Sequence, residues 1–433
     1  MARVVVVGAG FGGLASAARL AKLGHEVTVL EASGQLGGSL VPMEASGYRW
    51  DSAASTTLLP AVIRDLFRKS GRPVERELEL VDQPIIREHH FEDGSRVKVP
   101  GGSRVAQLSA FDELAPGYGE QWCDYVSSFA DDWDVLRRGY FENPWLPDEA
   151  PEEVRRLLDS REHLAKRLKR TFRDERLRLV AAQPFQFGGH QANNVPAWMG
   201  SVSYLEQTFG AWRVPGGMGL LAEALRERLL TRGVTVLLDT PGRDLVVRDG
   251  RVAAVQTPLG EIAADIVVCA IDARRLPALH PYVDRTMPAI PPVTTYLGLE
   301  GDVPDLGPEA VFHGDPTLVV RTGGVAPDGC QAWTVHARGK LVEDMLLALV
   351  RVGLDVRDNV RVRLDRTPRA LVEAWGGSPE GVMWQGRNTV RHRLGPATPI
   401  PGVYAAGAHA TPGAGLPFVG LSAAQVAAAI GPA

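Results

Sequence analysis

The sequence predicts an α/β fold whose parallel sheet is assembled from separated stretches of chain. Three observations carry this reading. An N-terminal run of valines, Val4 to Val7, breaks at a glycine-dense turn and continues into the helical pattern ASAARLAKL. After a long helical interruption, WRVPGGMGLLAEALRERLLTRGVTVLL again reads as strand, turn, amphipathic helix and strand. The C-terminal stretch GVYAAGAHATPGAGLPFVGLSAAQVAAAI repeats the order of strand, glycine-rich turn and small-residue helix. Apolar β-branched runs bounded by turn residues read as buried strands, and strands that alternate with helical patterns read as parallel units.

The first turn carries the spacing Gly8-x-Gly10-x-x-Gly13, with Phe11 and Gly12 between the second and third glycines. Gly8 permits the tight exit from the strand, and Gly10 lets the backbone approach a pyrophosphate. Gly13 lets helix and strand pack closely, so free N–H groups and the positive dipole end face the phosphates. The second strand, HEVTVLEAS, ends in Glu31 and Ala32. An acidic side chain about 20 residues past the fingerprint suits ribose hydroxyls, which makes this a Rossmann-like dinucleotide unit.

A second glycine cluster, GQLGGSL, follows with Gly37, Gly38 and Ser39, and then GYRWDSAAST with Gly47 and Asp51. Fingerprint, acid, glycine pair and Gly-x-x-x-Asp form, in that order, the extended N-terminal motif of one group of flavoproteins. The expected cofactor is therefore non-covalent FAD rather than NAD, since a nicotinamide unit has no need of the second glycine pair. Ser39 stands where many such proteins carry arginine, so a charge-assisted phosphate contact is missing or supplied from elsewhere.

Composition limits the remaining function classes. With 433 residues, 45% hydrophobic and 23% charged, the chain is an ordinary globular protein long enough for two interleaved units. A net charge of −4 gives no reason to expect nucleic acid. The basic run RLKRTFRDERLR is interleaved with acids and reads first as a solvated helix face. Cys123, Cys269 and Cys330 form no CxxC pair, which argues against disulfides and zinc and suggests a reducing, cytoplasmic setting. No signal-peptide pattern and no apolar run of about 18 residues is present, so any membrane contact is expected to be peripheral.

Between the nucleotide-binding stretches, QPIIREHHFEDGSRVKV reads as a hairpin turning at Asp93-Gly94. His89 and His90 are adjacent and would point to opposite faces of a strand, so no metal site is expected there. From Ser103 to Gln207 the pattern is mainly helical, with Pro144, Pro147 and Pro151 interrupting it. Trp122, Tyr125, Phe129 and Trp133 share a helix face. Core packing and lining of an apolar channel are both open readings of that face. From Thr286 to Trp375, the pieces VTTYLGL, TLVVR and QAWTVHA predict an antiparallel sheet, with LVEDMLLALVRVGL as a packed helix. His313 and His336 read as ordinary strand residues, and no hydrolase or metal spacing stands out.

The C-terminal stretch predicts a strand to about Ala406, a turn from Gly407 to Gly415 and a helix from about Val419. Such a helix N-terminus suits the pyrimidine end of a flavin, where negative charge collects on reduction. GAGFGGL with Glu31 and Gly37-Gly38, GAWRVPGGMGLLAEAL, and YAAGAHATPGAGLPFVGLSAAQVA together resemble the phytoene desaturase (carotenoid desaturase and isomerase) family of FAD-dependent, amine-oxidase-like flavoproteins. Pro412 to Pro417, PGAGLP, narrows the resemblance to that branch.

The resemblance implies a glutathione-reductase or amine-oxidase type FAD domain in three pieces, 1–102, 208–285 and 385–433. It also implies a second α+β substrate domain, with a helical cap over 103–207 and a sheet over 286–384. Cofactor contacts are expected from Gly8, Gly10, Phe11, Gly12, Gly13, Glu31, Ala32, Gly37, Gly38 and Ser39. Pro241 to Arg243, centred on Gly242, are expected at the adenine. Gly407, Pro412, Gly413, Gly415, Leu416 and Pro417 are expected around the ring. His409 and Thr411 are candidates to touch flavin or substrate, with turn formation as the alternative.

The expected reaction is desaturation of an apolar, isoprenoid-like molecule, with hydride passing to flavin N5 while an adjacent carbon loses a proton. An amine or amino-acid oxidase, for which Arg321 and Arg338 are candidate carboxylate anchors, and a redox-neutral isomerase or flavin-binding module stand as alternatives.

Overall fold

A computed structural model describes residues 1–146 and 148–433, so Pro147, expected to interrupt the helical region, lies outside the described residues. Its first sheet is parallel and runs in the order Val403–Ala405, Ile266–Cys269, Arg3–Val7, Glu26–Leu30, Thr235–Leu237. The Val4 to Val7 strand sits at its centre, buried on both faces, which is why its sequence is an unbroken apolar run. Three stretches of chain thus converge on one sheet.

Helices Phe11–Lys22, Gly219–Thr231 and Leu416–Ile430 share a core with this sheet, where Leu14, Ala18, Leu221 and Val426 meet. Small residues let them approach closely: a Cβ on Gly12 would stand 2.8 Å from Gly407 Cα. The terminal helix starts at Leu416, three residues before the expected Val419. Pro417 sits in its first turn, where the missing N–H has no helical partner to lose. Strands Asp244–Arg248, Arg251–Thr257 and Gly260–Ala263 form a separate antiparallel sheet. Its first hairpin turns at Asp249-Gly250, both at positive φ as a tight turn requires.

The second sheet has seven strands in the order Val360–Arg366, Val293–Glu300, Cys330–Arg338, Thr317–Arg321, Glu309–Phe312, Ile85–His90, Arg96–Pro100. One feature differs from expectation. Ile85–Pro100, assigned from the sequence to the first FAD-binding piece, supplies two strands to this sheet, so that piece ends before residue 85 rather than at 102. The cause is long-range pairing, in which Val311 lies beside His89 in a parallel contact, while the other strand pairs of this sheet among the described residues are antiparallel. Val360–Arg366, VRVRLDR, is an edge strand whose arginines keep the open edge solvated. His89 stacks on buried His313 while His90 stacks on Phe312, the opposite orientations that adjacent strand residues demand.

The segment 103–207 is mainly helical, and its Gln183, Pro184, Phe187, Val202 and Glu206 line the large cavity. Trp122, Tyr125, Phe129 and Trp133 are buried together with Phe111 and Phe172, with ring centroids 4.3 to 6.1 Å apart in the stacked and tilted pairs. None of the four lines the large cavity, so core packing is their role.

Candidate active site

A cavity of about 1400 Å³ runs from the first glycine turn, past the terminal-helix N-terminus, to the face of the seven-stranded sheet. Its shape follows from the local chemistry of each end. At the first turn, Gly10 caps the helix in an extended conformation at φ −68°. The first helical bond runs from Leu14 N to Gly10 O, at 2.9 Å, which leaves the amides of residues 11 to 13 without helical acceptors. A Cβ on Gly10 would meet nothing within 4 Å, whereas one on Gly13 would overlap the Gly8 carbonyl oxygen. Gly10 therefore faces open space, and Gly13 is where strand and helix touch.

Glu31 is fixed beside this turn. Its Oε2 accepts from Ala9 N at 2.8 Å, and its Oε1 accepts from Ser33 N at 2.8 Å and Ser33 Oγ at 2.9 Å. Gly37 bonds through its N–H to Ala9 O at 2.9 Å, and a Cβ on Gly38 would lie 3.0 Å from Gly10 Cα. At φ of 125° and 55°, the pair threads directly against the fingerprint. Asp51 ties the second chain stretch to the first, its Oδ1 accepting from Met218 N at 2.8 Å. Burial pushes its carboxyl upward, against the stabilising amide of Met218.

Gly8, Gly10, Phe11, Gly12, Glu31, Ala32, Gly38 and Ser39 line one end of the cavity, with Pro241, Gly242 and Arg243 beside them. Gly407, Gly415, Leu416 and Pro417 line the other end. Gly13, Gly37, Pro412 and Gly413 stand behind the wall rather than on it. His409 lines the cavity, but its Nε2 sits 3.0 Å from Ser378 O and its Nδ1 3.7 Å from Asp272 Oδ1. Burial lowers the His409 imidazole, with Asp272 opposing. Thr411 is buried off the cavity, its amide bonded to Leu394 O at 2.8 Å.

This lining fits FAD in three respects. Free helix-start amides meet an open glycine surface where phosphates need both. A carboxylate fixed beside the turn keeps lone pairs that hydroxyl groups of a ligand can use. The space continues, without changing chain neighbourhood, to a second helix N-terminus capped by Gly415 at φ 96°.

The sheet end of the cavity carries residues that no local sequence signal marks. Arg87 Nη2 bonds Glu206 Oε1 at 2.7 Å, and its Nε reaches Glu309 Oε1 at 3.3 Å. Arg321 Nε bonds Glu309 Oε2 at 2.8 Å, and its Nη1 bonds Ala53 O at 2.7 Å. Burial alone would raise the Glu309 carboxyl, but Arg321 and Arg87 outweigh it and hold it below the usual range. Gln183, Phe187, Thr334 and Glu380 complete this wall, and Gln183 and Phe187 also border a second cavity of about 700 Å³ that contains Arg338. The glycine spacing was visible in the sequence. The charged quartet comes from three separate segments, around Arg87, around Glu206 and the hairpin that pairs Glu309 with Arg321, and was not.

Residues 11–295 match the family of flavin containing amine oxidoreductases. The chain belongs to this family. It is a FAD-dependent oxidoreductase, as the fingerprint and the second glycine pair led us to expect. It is 28% identical to hydroxyneurosporene desaturase of Cereibacter sphaeroides, over 99% of this chain and 97% of that protein. It is 25% identical to 4,4'-diapolycopene oxygenase of Methylomonas sp, over 97% and 96% of the two chains. Among solved structures, a putrescine oxidase triple mutant superposes with a TM-score of 0.72 at 17% identity, covering 99% of this chain and 98% of the other. The CLA-producing fatty acid isomerase from P. acnes gives 0.66 at 16%, with coverage of 99% and 98%. These two likenesses show the shared fold.

Proposed function

We propose that the protein dehydrogenates a carbon–carbon single bond in a hydrophobic, isoprenoid-type molecule. The observation that carries the reading is the continuity of one cavity from the dinucleotide-binding glycines to a wall containing Leu58, Ile86, Phe187, Val202 and Phe418. The full-length similarity to proteins named for carotenoid desaturation and oxygenation supports it.

On this reading Gly10, Phe11, Gly12 and Gly38 hold the diphosphate, and Glu31 the ribose. Pro241 to Arg243 flank the adenine, and Gly407 and Gly415 to Pro417 surround the flavin ring. Gly13, Gly37, Thr411, Pro412 and Gly413 shape those turns from behind, and His409, on the cavity wall, braces its turn through Ser378. FAD, when bound, supplies a two-electron acceptor that takes up hydride as a single bond becomes double. The chain's own work is to orient the substrate, to exclude water with the aromatic cap, and to aim helix N-terminal amides at developing negative charge.

Among the described residues no helix is long and apolar enough to cross a membrane. A cytoplasmic protein that meets its substrate at a membrane surface is the arrangement we propose, with exposed Tyr282, Met287 and Ile290 as apolar contacts.

The test is anaerobic titration of the FAD-loaded protein with acyclic carotenoid precursors. Flavin absorbance should bleach, and the product should be lighter by two hydrogens. Release of ammonia from an amine substrate, or a rearranged product of unchanged mass, would replace this reading with an oxidase or an isomerase.

A further inference from the structure

Turning a carbon–carbon single bond into a double one removes a proton as well as a hydride, and the proton needs an acceptor at the reacting carbons. Most acids and imidazoles on the cavity wall are committed elsewhere. Glu206 and Glu309 are held by Arg87 and Arg321. Asp272 Oδ1 accepts from Arg274 Nη1 at 2.8 Å, and His409 contacts Ser378 O. Glu31 and Asp51 accept from backbone amides, while Glu373 and Asp82 are exposed. Glu380 is left: it lines the cavity, and among the described residues its carboxyl meets no hydrogen-bond or ion-pair partner.

Glu380 stands where three parts of the molecule meet. A Cβ on the next residue, Gly381, would overlap Ala408 O, and Ser378 O lies 3.0 Å from His409 Nε2. The stretch 376–381 is thereby clamped to the turn that surrounds the flavin ring in the proposed arrangement. On its other side the carboxyl reaches the end of the helix Glu175–Phe187, where a Cβ on Gly188 would stand 3.2 Å from Glu380 Oε2. The neighbouring Phe187 ring belongs to the substrate wall and is overlain by Arg321 at 4.9 Å. An atom that takes a proton from substrate beside the ring has to lie at such a junction.

The surrounding charge suits the role. Arg87, Arg321 and Arg338 stand against Glu206, Glu309 and Glu380, so an ionised Glu380 leaves the group neutral overall. Burial raises the Glu380 carboxyl, against Arg338 and Arg321, and a carboxylate raised in this way is the stronger base once ionised. The groups that face it are Arg321 and Arg338 from the sheet, His190 beyond the helix end, and His409 from the turn.

We propose that Glu380 is the catalytic base of the dehydrogenation. One C–H bond of the substrate gives up hydride, with its electron pair, to FAD as the oxidant. A Glu380 oxygen takes the proton from the adjacent carbon, and the electron pair of that second C–H bond becomes the π bond. The assignment rests on the proposed dehydrogenation and names the residue that completes it.

The experiment uses the full chain loaded with FAD and follows anaerobic flavin bleaching in a single turnover with phytoene or neurosporene. Glu380→Gln keeps the shape and removes the base. It should retain FAD, bind the polyene within about two-fold of wild type, and bleach at least about 100-fold more slowly. Wild-type bleaching should rise with pH as Glu380 ionises, and that rise should vanish in Glu380→Gln. A rise that persists there belongs to His190 or His409 and overturns the assignment. The flavin spectrum without substrate is a readout free of turnover: ionisation of a carboxylate beside the ring should shift it with pH in wild type and not in Glu380→Gln. If that variant loses FAD, Glu380→Asp decides. Its withdrawn carboxylate should keep the pH-dependent rise at a rate about ten-fold lower, and an unchanged rate would contradict the role. The two readings fail separately. If no polyene bleaches the wild type, the dehydrogenation falls and the base with it. If wild type bleaches and Glu380→Gln keeps pace, the base alone falls.

Discussion

Two glycines three residues apart answer to different demands, and single substitutions separate them. Gly10 has φ −68°, a value any residue adopts, and a side chain there would point into empty cavity. Gly10→Val should therefore leave the unfolding free energy of the FAD-free chain within about 0.5 kcal/mol of wild type. It should abolish FAD retention, read from the flavin-to-protein absorbance ratio of purified protein. A Gly13 side chain would instead collide with the Gly8 carbonyl in a packed strand–helix contact. Gly13→Ala should cost about 1–3 kcal/mol in denaturant unfolding before any question of cofactor arises. Equal destabilisation by both changes would contradict the division of labour. The spacing of these residues was legible in the sequence because backbone conformation is a local property. Gln183, Thr334 and Glu380 were not legible, because nothing local distinguishes a solvated polar side chain from one turned into a cavity.

At the scale of elements, the terminal helix packs Phe418 on Phe141 of the helical segment and is hydrogen-bonded to it through Gln425. Gln425 Nε2 donates to the carbonyls of Tyr140 and Phe141 at 2.8 and 2.9 Å, and lies 3.1 Å from that of Asn143. Tyr140 and Phe141 end a widened turn, Arg137–Phe141, and Asn143 follows it; the irregular winding leaves carbonyls in need of donors. Gln425→Leu keeps the volume and removes the donor, so it should destabilise by about 1–3 kcal/mol in guanidinium unfolding. Unchanged stability would mean that the carbonyls find other donors. Helix and strand types were readable here from periodicity. Partners were not, as Ile85–Pro100 shows: its alternation announces a hairpin but cannot say which sheet receives it.

Across the whole molecule, burial of histidine sets the response to acid. Burial pushes His190 and His313 down to about 4 and lowers His89 and His336 well below the ordinary imidazole range. Each stays neutral in the folded chain but takes up a proton near pH 6.5 once unfolded. Folded-state pKa values below the unfolded ones mean that the unfolded chain binds more protons in this window. Stability is therefore fully present above about pH 6.5 and falls as pH drops toward 4, by up to about 1.4 kcal/mol per pH unit for each histidine. Guanidinium unfolding at pH 7.5, 6 and 5 should show this slope, and His313→Gln should flatten it. A slope of zero or of opposite sign would show that these side chains are solvated.

The sequence by itself determined the cofactor class, the Rossmann-like core and the convergence of distant stretches on one parallel sheet. Each of those depends on short-range chemistry: glycines where backbone must bend or approach, a carboxylate at a fixed offset, and apolar runs of strand length. Only the tertiary structure decided that the Trp122 to Trp133 face is core, that Ile85–Pro100 extends the second sheet, and that Arg87, Glu206, Glu309 and Arg321 meet over one cavity. Those outcomes depend on contacts between separate segments, some of them more than a hundred residues apart as Arg87 and Glu206 are, and side-chain polarity along a chain carries no record of which surface will enclose it.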